Sequence, residues 1–180
     1  MKTLIDHDNI EMRDALRKFL STEKDFVPTY NISLEEEREI ALAKLQKICN
    51  QGFFSVKDFW TNPRRVFAAH EIGGLVDGSM ATKMTVQFNL FGGTVLKLGT
   101  EKHHGEFLDK IDNLSNIGCF GLTELGYGNN AVEMETTAIY DKKTEEFIIN
   151  TPTTLAQKYW ITNSAIHARY IYKTKKLIFL

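Results

Sequence analysis

Apolar residues recur at helical spacing through the first two thirds of the chain and at strand spacing beyond it. Ile10, Met12, Leu16, Phe19 and Leu20 supply one apolar face, and Asp8 followed three residues on by Glu11 predicts a capping box ahead of it. A cleaner box, Ser33 with Glu36, opens a second helix whose stripe is Ala41, Leu45 and Ile48, with Gly52 just past its end. Asn62 before Pro63 marks a third start, because proline at the first helical position gives up only a donor that has no partner there. Asp77 caps a fourth segment, SMATKMTVQFNLFGGTVLKL, which is apolar on most sides and therefore expected at the centre of its bundle. Gly92–Gly93 predicts either a kink in it or the close approach of another backbone. Thr100 opens a fifth helix with Phe107, Leu108 and Ile111 facing inward.

The pattern changes after the Asn-rich turn around Asp112–Asn116. NIGCFGLTE reads as a short buried strand, and METTAIYD alternates before the charged turn DKKTEE. FIIN and KYWIT follow as β-rich runs, with RYIY as a further strand, and a hairpin is expected around Asp141–Glu145. The expected fold class is α+β: an all-α helical domain over residues 1–115, then the first strands of an antiparallel, barrel-like β domain over residues 116–180. No internal repeat or low-complexity segment is visible.

Composition narrows the class without naming a function. The chain has 180 residues, enough for one domain or one and part of another. Hydrophobic residues at 43 % and charged residues at 25 % are ordinary globular values, which argue against a disordered tail, a collagen or a coiled coil. With 22 Lys+Arg against 23 Asp+Glu there is no general polyanion signal, so nucleic acid is not an expected partner. Cys49 and Cys119 are too few for a disulfide framework or a cysteine zinc site. The N-terminus turns acidic before an apolar run develops, and no stretch approaches the ~20 residues of a membrane span. A soluble intracellular protein with no signal peptide is expected.

Several motifs fail on context. Gly126-Tyr127-Gly128-Asn129-Asn130-Ala131 fits a loose dinucleotide pattern, but strand formers follow it where a helix is needed, and no Walker lysine follows. His70-Glu71 lacks a second histidine four residues on, and adjacent His103-His104 point about 100° apart on a helix, so no metal site is expected. The segment Thr123–Asn130 is more informative. Its two glycines let a backbone approach a flat ligand, and a hydroxyl at Thr123 suits the edge of a heterocycle; equally, it reads as a glycine-rich turn between strands. Trp160-Ile161-Thr162-Asn163 is a second such segment, with Trp160 either a core residue or a stacking face.

At these residues a family resemblance is specific. GCFGLTELGYGNN, then ETTAIYDKKTEEFIINTPTTLAQKYWITNSAIHA, resembles the acyl-CoA oxidase branch of the acyl-CoA dehydrogenase superfamily. The preceding VDGSMATKMTVQFNLFGGTVLKLGTEKHH is similar to that branch as well, and the likeness runs over roughly residues 30 to 168. The resemblance implies a helical N-terminal domain, a β middle domain and a helical C-terminal domain, with FAD between them and the last domain missing here. It implies α,β-desaturation of a fatty acyl-CoA, with electrons passed to O2 in oxidases and to a protein acceptor in dehydrogenases. It further implies cofactor contacts from Leu122 and Thr123 at the pyrimidine side of the flavin, Gly128 where flavin and acyl-CoA meet, and Trp160 and Thr162 at the flank of the ring. Asn129 takes a substrate-binding role on the same grounds. The family's catalytic base, a glutamate of the C-terminal domain, lies beyond this chain, and Glu124 belongs to the loop motif instead.

Three departures set expectations of their own. Tyr127 and Asn129 replace the usual histidine and serine of the oxidase loop. Thr162 stands where oxidases generally have glycine, W-I-T-N being the dehydrogenase form, so slower reoxidation by O2 is expected. From Phe147 onward there is no Asp or Glu, while Lys158, Arg169, Lys173, Lys175 and Lys176 are basic; they read as a basic edge for CoA phosphates or as a truncated or altered frame. Ile178-Phe179-Leu180 is not a peroxisomal address, although the family implies peroxisomal residence and a homodimer. An inactive truncated oxidase is thus expected. A non-catalytic fragment that binds acyl-CoA or a full-length subunit is the alternative, as is a dehydrogenase. An incomplete β domain with open sheet edges also predicts poor solubility.

Overall fold

The computed structural model describes residues 2–173 and 176–179. The chain divides into two compact units, Met1–Ile117 and Gly118–Leu180. The first unit is helical: α1 (Lys2–Ile5), α2 (Ile10–Thr22), α3 (Leu34–Cys49), α4 (Asp58–Thr61), α5 (Pro63–Val76), α6 (Gly78–Met84), α7 (Gly93–Leu98) and α8 (Glu101–Asp112). Between α6 and α7 the helix continues through Thr85–Gly92 with π-type hydrogen bonding. The strands of the second unit are β1 (Gly118–Gly121), β2 (Thr137–Asp141), β3 (Glu146–Asn150), β4 (Tyr170–Lys173) and β5 (Lys176–Phe179).

Local capping chemistry sets the starts of α3, α5, α6 and α8. Ser33 and Glu36 form the reciprocal box at α3, with each backbone N–H bonded to the other's side chain at 3.1 Å. Pro63 occupies the first turn of α5. Asp77 Oδ1 accepts from Met80 N–H at 2.9 Å to start α6, while its Oδ2 takes the buried ammonium of Lys44 at 2.6 Å and so ties α6 to α3. At Thr100 the backbone N–H is donated to His103 Nδ1 at 3.1 Å, and His104 lies 3.1 Å from the Leu96 carbonyl. Both histidines serve helix ends.

The expected box at Asp8 does not form. Asn9 precedes α2 in the left-handed region, with φ 48°, and Asp8 turns instead to Arg13, 3.0 Å from its Nη2. Arg13 is 2 % exposed and also meets Glu71 at 2.6 Å. A buried guanidinium needs carboxylates more than the helix end needs a cap, so the tertiary ion pair wins.

The segment from Met80 to Leu96 is central as its apolar sequence predicts: Met80, Met84, Phe88, Phe91 and Leu96 are all buried. Gln87 is buried among them and donates to the carbonyls of Ile111 and Asn116, at 3.2 and 2.8 Å. Gly92 is the point of close approach, where a Cβ would stand 2.9 Å from Val56 Cγ2, 3.0 Å from the Gln87 carbonyl and 3.1 Å from Ile111 Cγ2.

In the second unit the hairpin forms where the charged turn places it. β2 and β3 are antiparallel, Thr137 opposite Asn150 and Asp141 opposite Glu146, with Glu145 left-handed in the turn. The other two pairings differ from the antiparallel expectation: β1 runs parallel to β4, and β2 parallel to β5. Alternation specifies a local hairpin but not the direction of distant partners. Among the described residues the sheets do not close into a barrel. KYWIT is not a strand: Trp160 and Asn163 have φ 61° and 69°, which breaks any ladder through them. Nor is Trp160 core, being 87 % exposed. β3 is an edge strand with Phe147, Ile148 and Ile149 all exposed.

Gly92→Ala is expected to destabilise the helical unit by about 1–3 kcal/mol through overpacking, despite the better helix propensity of alanine. A melting temperature at or above that of the parent chain would contradict the packing described here.

Candidate functional site

The site is built where β1 ends. After Gly121 the chain leaves the strand and runs beside residues 155–159: the Thr123 carbonyl accepts from Tyr159 N–H at 3.0 Å, Leu125 N–H donates to Gln157 at 2.9 Å and Gly126 N–H to Leu155 at 2.9 Å. Two of the sequence-predicted segments, Leu122–Thr123 and the run leading into Trp160, are therefore neighbours.

Glu124 organises this junction. Its side chain is fully buried, and its carboxylate accepts from the backbone N–H of Glu135 at 2.9 Å and of Thr136 at 3.1 Å, with Lys158 Nζ 3.1 Å away. Burial acts against the charge. The Thr136 hydroxyl, the Glu135 backbone, the Lys158 ammonium and the Thr136 backbone outweigh it and hold the Glu124 carboxyl down at about 2. Lys158 also donates to the Leu122 carbonyl at 2.9 Å. Its side chain is 10 % exposed, so it points inward and is not on a basic edge, a correction to the sequence reading. Lys173, Lys175 and Lys176, the rest of that edge apart from exposed Arg169, have side chains outside the described residues.

The loop from Glu124 to Asn130 is tied down by its own polar groups. Gly128 takes φ 53° and donates to the Glu124 carbonyl at 3.2 Å. Gly126 comes close to Leu155, whose Cβ would lie 2.7 Å from an added methyl, so its lack of a side chain serves the chain's own packing and not a ligand. Tyr127 donates its hydroxyl to Glu135, which also accepts from Thr153 Oγ1 at 2.7 Å. The Tyr127 bond first, and then Thr153, holds the Glu135 carboxyl below its usual range, and the same contact pushes the Tyr127 phenol up. A short 3₁₀ turn, Ala131–Glu133, follows where a dinucleotide fold would need a helix.

Beyond Lys158 the chain turns. The Asn163 carbonyl accepts from Ala168 N–H at 3.0 Å, and Ser164 Oγ bonds the Ile161 carbonyl at 2.8 Å. Trp160 projects its indole outward, 6.5 Å from the Tyr159 ring, and Thr162 is exposed. Among the described residues the Thr123 N–H and hydroxyl and the Thr162 hydroxyl make no hydrogen bond within the chain. The structure thus joins Leu122, Thr123 and Gly128 to one junction through Lys158, Tyr159 and Glu124. Thr162 and Asn129 are exposed and not hydrogen-bonded to it. Glu124, Lys158 and Glu135 are the site residues that sequence reasoning missed. The signal for the first was an acid inside an apolar strand, which demands a buried partner.

The donors present suit a flat heterocycle with acceptors along one edge. Thr123 presents an unpaired N–H and hydroxyl, and Trp160 an uncovered aromatic face, on adjoining segments. Among the described residues no group of three His, Cys, Asp or Glu is placed to hold a metal, and no helix is long and apolar enough to cross a membrane.

No family model matches the chain. It is 36 % identical over 171 residues to a peroxisomal acyl-coenzyme A oxidase 2 of Arabidopsis thaliana, an alignment covering 94 % of this chain and 25 % of that one. The chain spans about a quarter of the length of the curated relatives it matches. Acyl-CoA oxidase 3 of Yarrowia lipolytica is similar in structure with a TM-score of 0.79 and 29 % identity, over 95 % of this chain and 24 % of that one. An acyl-CoA oxidase-2 of Caenorhabditis elegans, bound with FAD, ascaroside-CoA and ATP, is similar with a TM-score of 0.72 and 25 % identity, over 94 % of this chain and 25 % of that one.

A carboxyl depressed from 4.5 to about 2 on folding adds stability that is present above pH 4.5 and lost as the pH falls toward 2. Glu124→Gln is expected to flatten that part of the stability profile, read as melting temperature against pH. An unchanged slope between those values would contradict the buried, ionised carboxylate.

Proposed function

Because the chain is a relative, in sequence and fold, of the N-terminal portion of the acyl-CoA oxidases, we propose that it supplies the flavin side of an FAD-dependent acyl-CoA oxidase of fatty-acid β-oxidation. The observation that carries this reading is the junction itself: unpaired donors of Thr123 beside the run that presents an 87 % exposed Trp160. Its indole offers an uncovered aromatic face on which a flat ring can stack.

FAD, when bound, supplies the acceptor for the hydride that leaves the β carbon of the acyl chain. The protein's part is to bind and orient. Leu122 and Thr123 hold the pyrimidine side, and Trp160 covers the flank. Gly128 leaves room where ring and acyl-CoA come together, and Asn129 meets the acyl-CoA. Thr162 offers a hydroxyl at the ring's reactive edge. The name of the Arabidopsis relative supports an acyl-CoA substrate, an oxidase and the peroxisome as the compartment; a fatty acyl chain, O2 as the electron acceptor and a homodimer complete the proposal.

Thr162 favours a second reading, a dehydrogenase that passes electrons to a protein. A hydroxyl at that edge stabilises developing negative charge and adds bulk where O2 approaches.

The purified chain is expected to take up FAD and turn yellow, with Trp160→Ala weakening the affinity about tenfold, the scale of one lost aromatic contact. A colourless chain that cannot be reconstituted would overturn the flavin reading. In the flavin-loaded protein Thr162→Gly is expected to speed reoxidation measured with an oxygen electrode; equal rates would remove the argument from Thr162.

A further inference from the structure

The peptide between Leu122 and Thr123 is held at one end only. Its carbonyl oxygen accepts from Lys158 Nζ at 2.9 Å, while its N–H has no partner among the described residues. The cation is fixed in turn. Lys158 lies 3.1 Å from Glu124 Oε1, with the two side chains 10 % and 0 % exposed. Glu124 cannot shift without breaking its bonds to Glu135 and Thr136 N–H. The next carbonyl along, that of Thr123, is held by Tyr159 N–H at 3.0 Å, so the residue is clamped on both sides.

A buried ammonium on an amide oxygen draws electron density from the amide and makes its N–H a stronger donor, and low surrounding polarity enhances the effect. We propose that Lys158, locked by Glu124, is a positioning residue that holds and polarises the Leu122–Thr123 peptide so that the Thr123 N–H grips an electron-rich acceptor on the edge of the bound flavin ring. The proposal rests on the flavin reading of the site. It gives Lys158 a role distinct from the basic edge its sequence context suggested, and it explains why the cation is turned onto a main-chain carbonyl as well as its carboxylate.

The test uses Glu124→Gln/Lys158→Met, which removes both charges together and leaves no buried charge unpaired. FAD affinity and the flavin midpoint potential are measured for the parent and the double variant, and the Leu122 carbonyl ¹³C resonance is recorded for both without flavin. The expected results are an affinity weaker by about tenfold, a more negative potential and an upfield carbonyl shift. A double variant that binds FAD with unchanged affinity and potential would show a purely structural ion pair and overturn the proposal. An unmoved carbonyl resonance would overturn it as well. A parent chain that takes up no FAD would sink the flavin reading on which the proposal rests; that failure is separable, because the carbonyl shift is read without flavin.

Discussion

Glu124 has no solvent-exposed side-chain surface, and a carboxylate in that setting keeps its charge only where donors surround it. Two segments of the second unit provide them, the Glu135–Thr136 backbone before β2 and Lys158 before the Trp160 turn, and both are thereby tied to the junction after β1 to which Glu124 belongs. Removing one partner from such a pair costs about 3–5 kcal/mol, because the other charge is left buried alone. The position of every candidate flavin contact that the junction joins, Leu122, Thr123 and Gly128, follows from this one group.

The helical unit is organised by a different constraint, the need to bury a long segment that is apolar nearly all round. Gln87, one of the buried polar groups of that segment, is satisfied by two carbonyls near the end of the unit, while the missing side chain of Gly92 lets Val56 and Ile111 close over the helix. Ion pairs then choose between alternatives that the local sequence leaves open, as Arg13 does with Asp8 and Lys44 with Asp77.

Features that depend on a few neighbouring residues were legible in the sequence. The Ser33–Glu36 box, the Asp77 cap, the Pro63 start and the hairpin at Asp141–Glu145 are set within four or five residues, and the chain realises each of them. Features decided over longer distances were not. Asp8 gave up its cap to Arg13, which is fixed in turn by Glu71, 58 residues farther along. The parallel pairings of β1 with β4 and β2 with β5 have no local signature. KYWIT has strand composition, yet Lys158 is drawn inward to Glu124 and Trp160 outward into a left-handed turn. Lys158 looked like surface charge because its partner lies 34 positions away in the numbering, beyond the reach of any spacing rule.

On the flavin reading, the junction after β1 and the Trp160 turn together form one edge of the ring's site. A ¹H–¹⁵N titration of the chain with FAD reads that edge residue by residue. The largest shifts are expected on the amides of Thr123 and Gly128 and on the Trp160 indole N–H, with the helical unit little moved. Shifts absent from these groups, or concentrated in the helical unit, would contradict that reading.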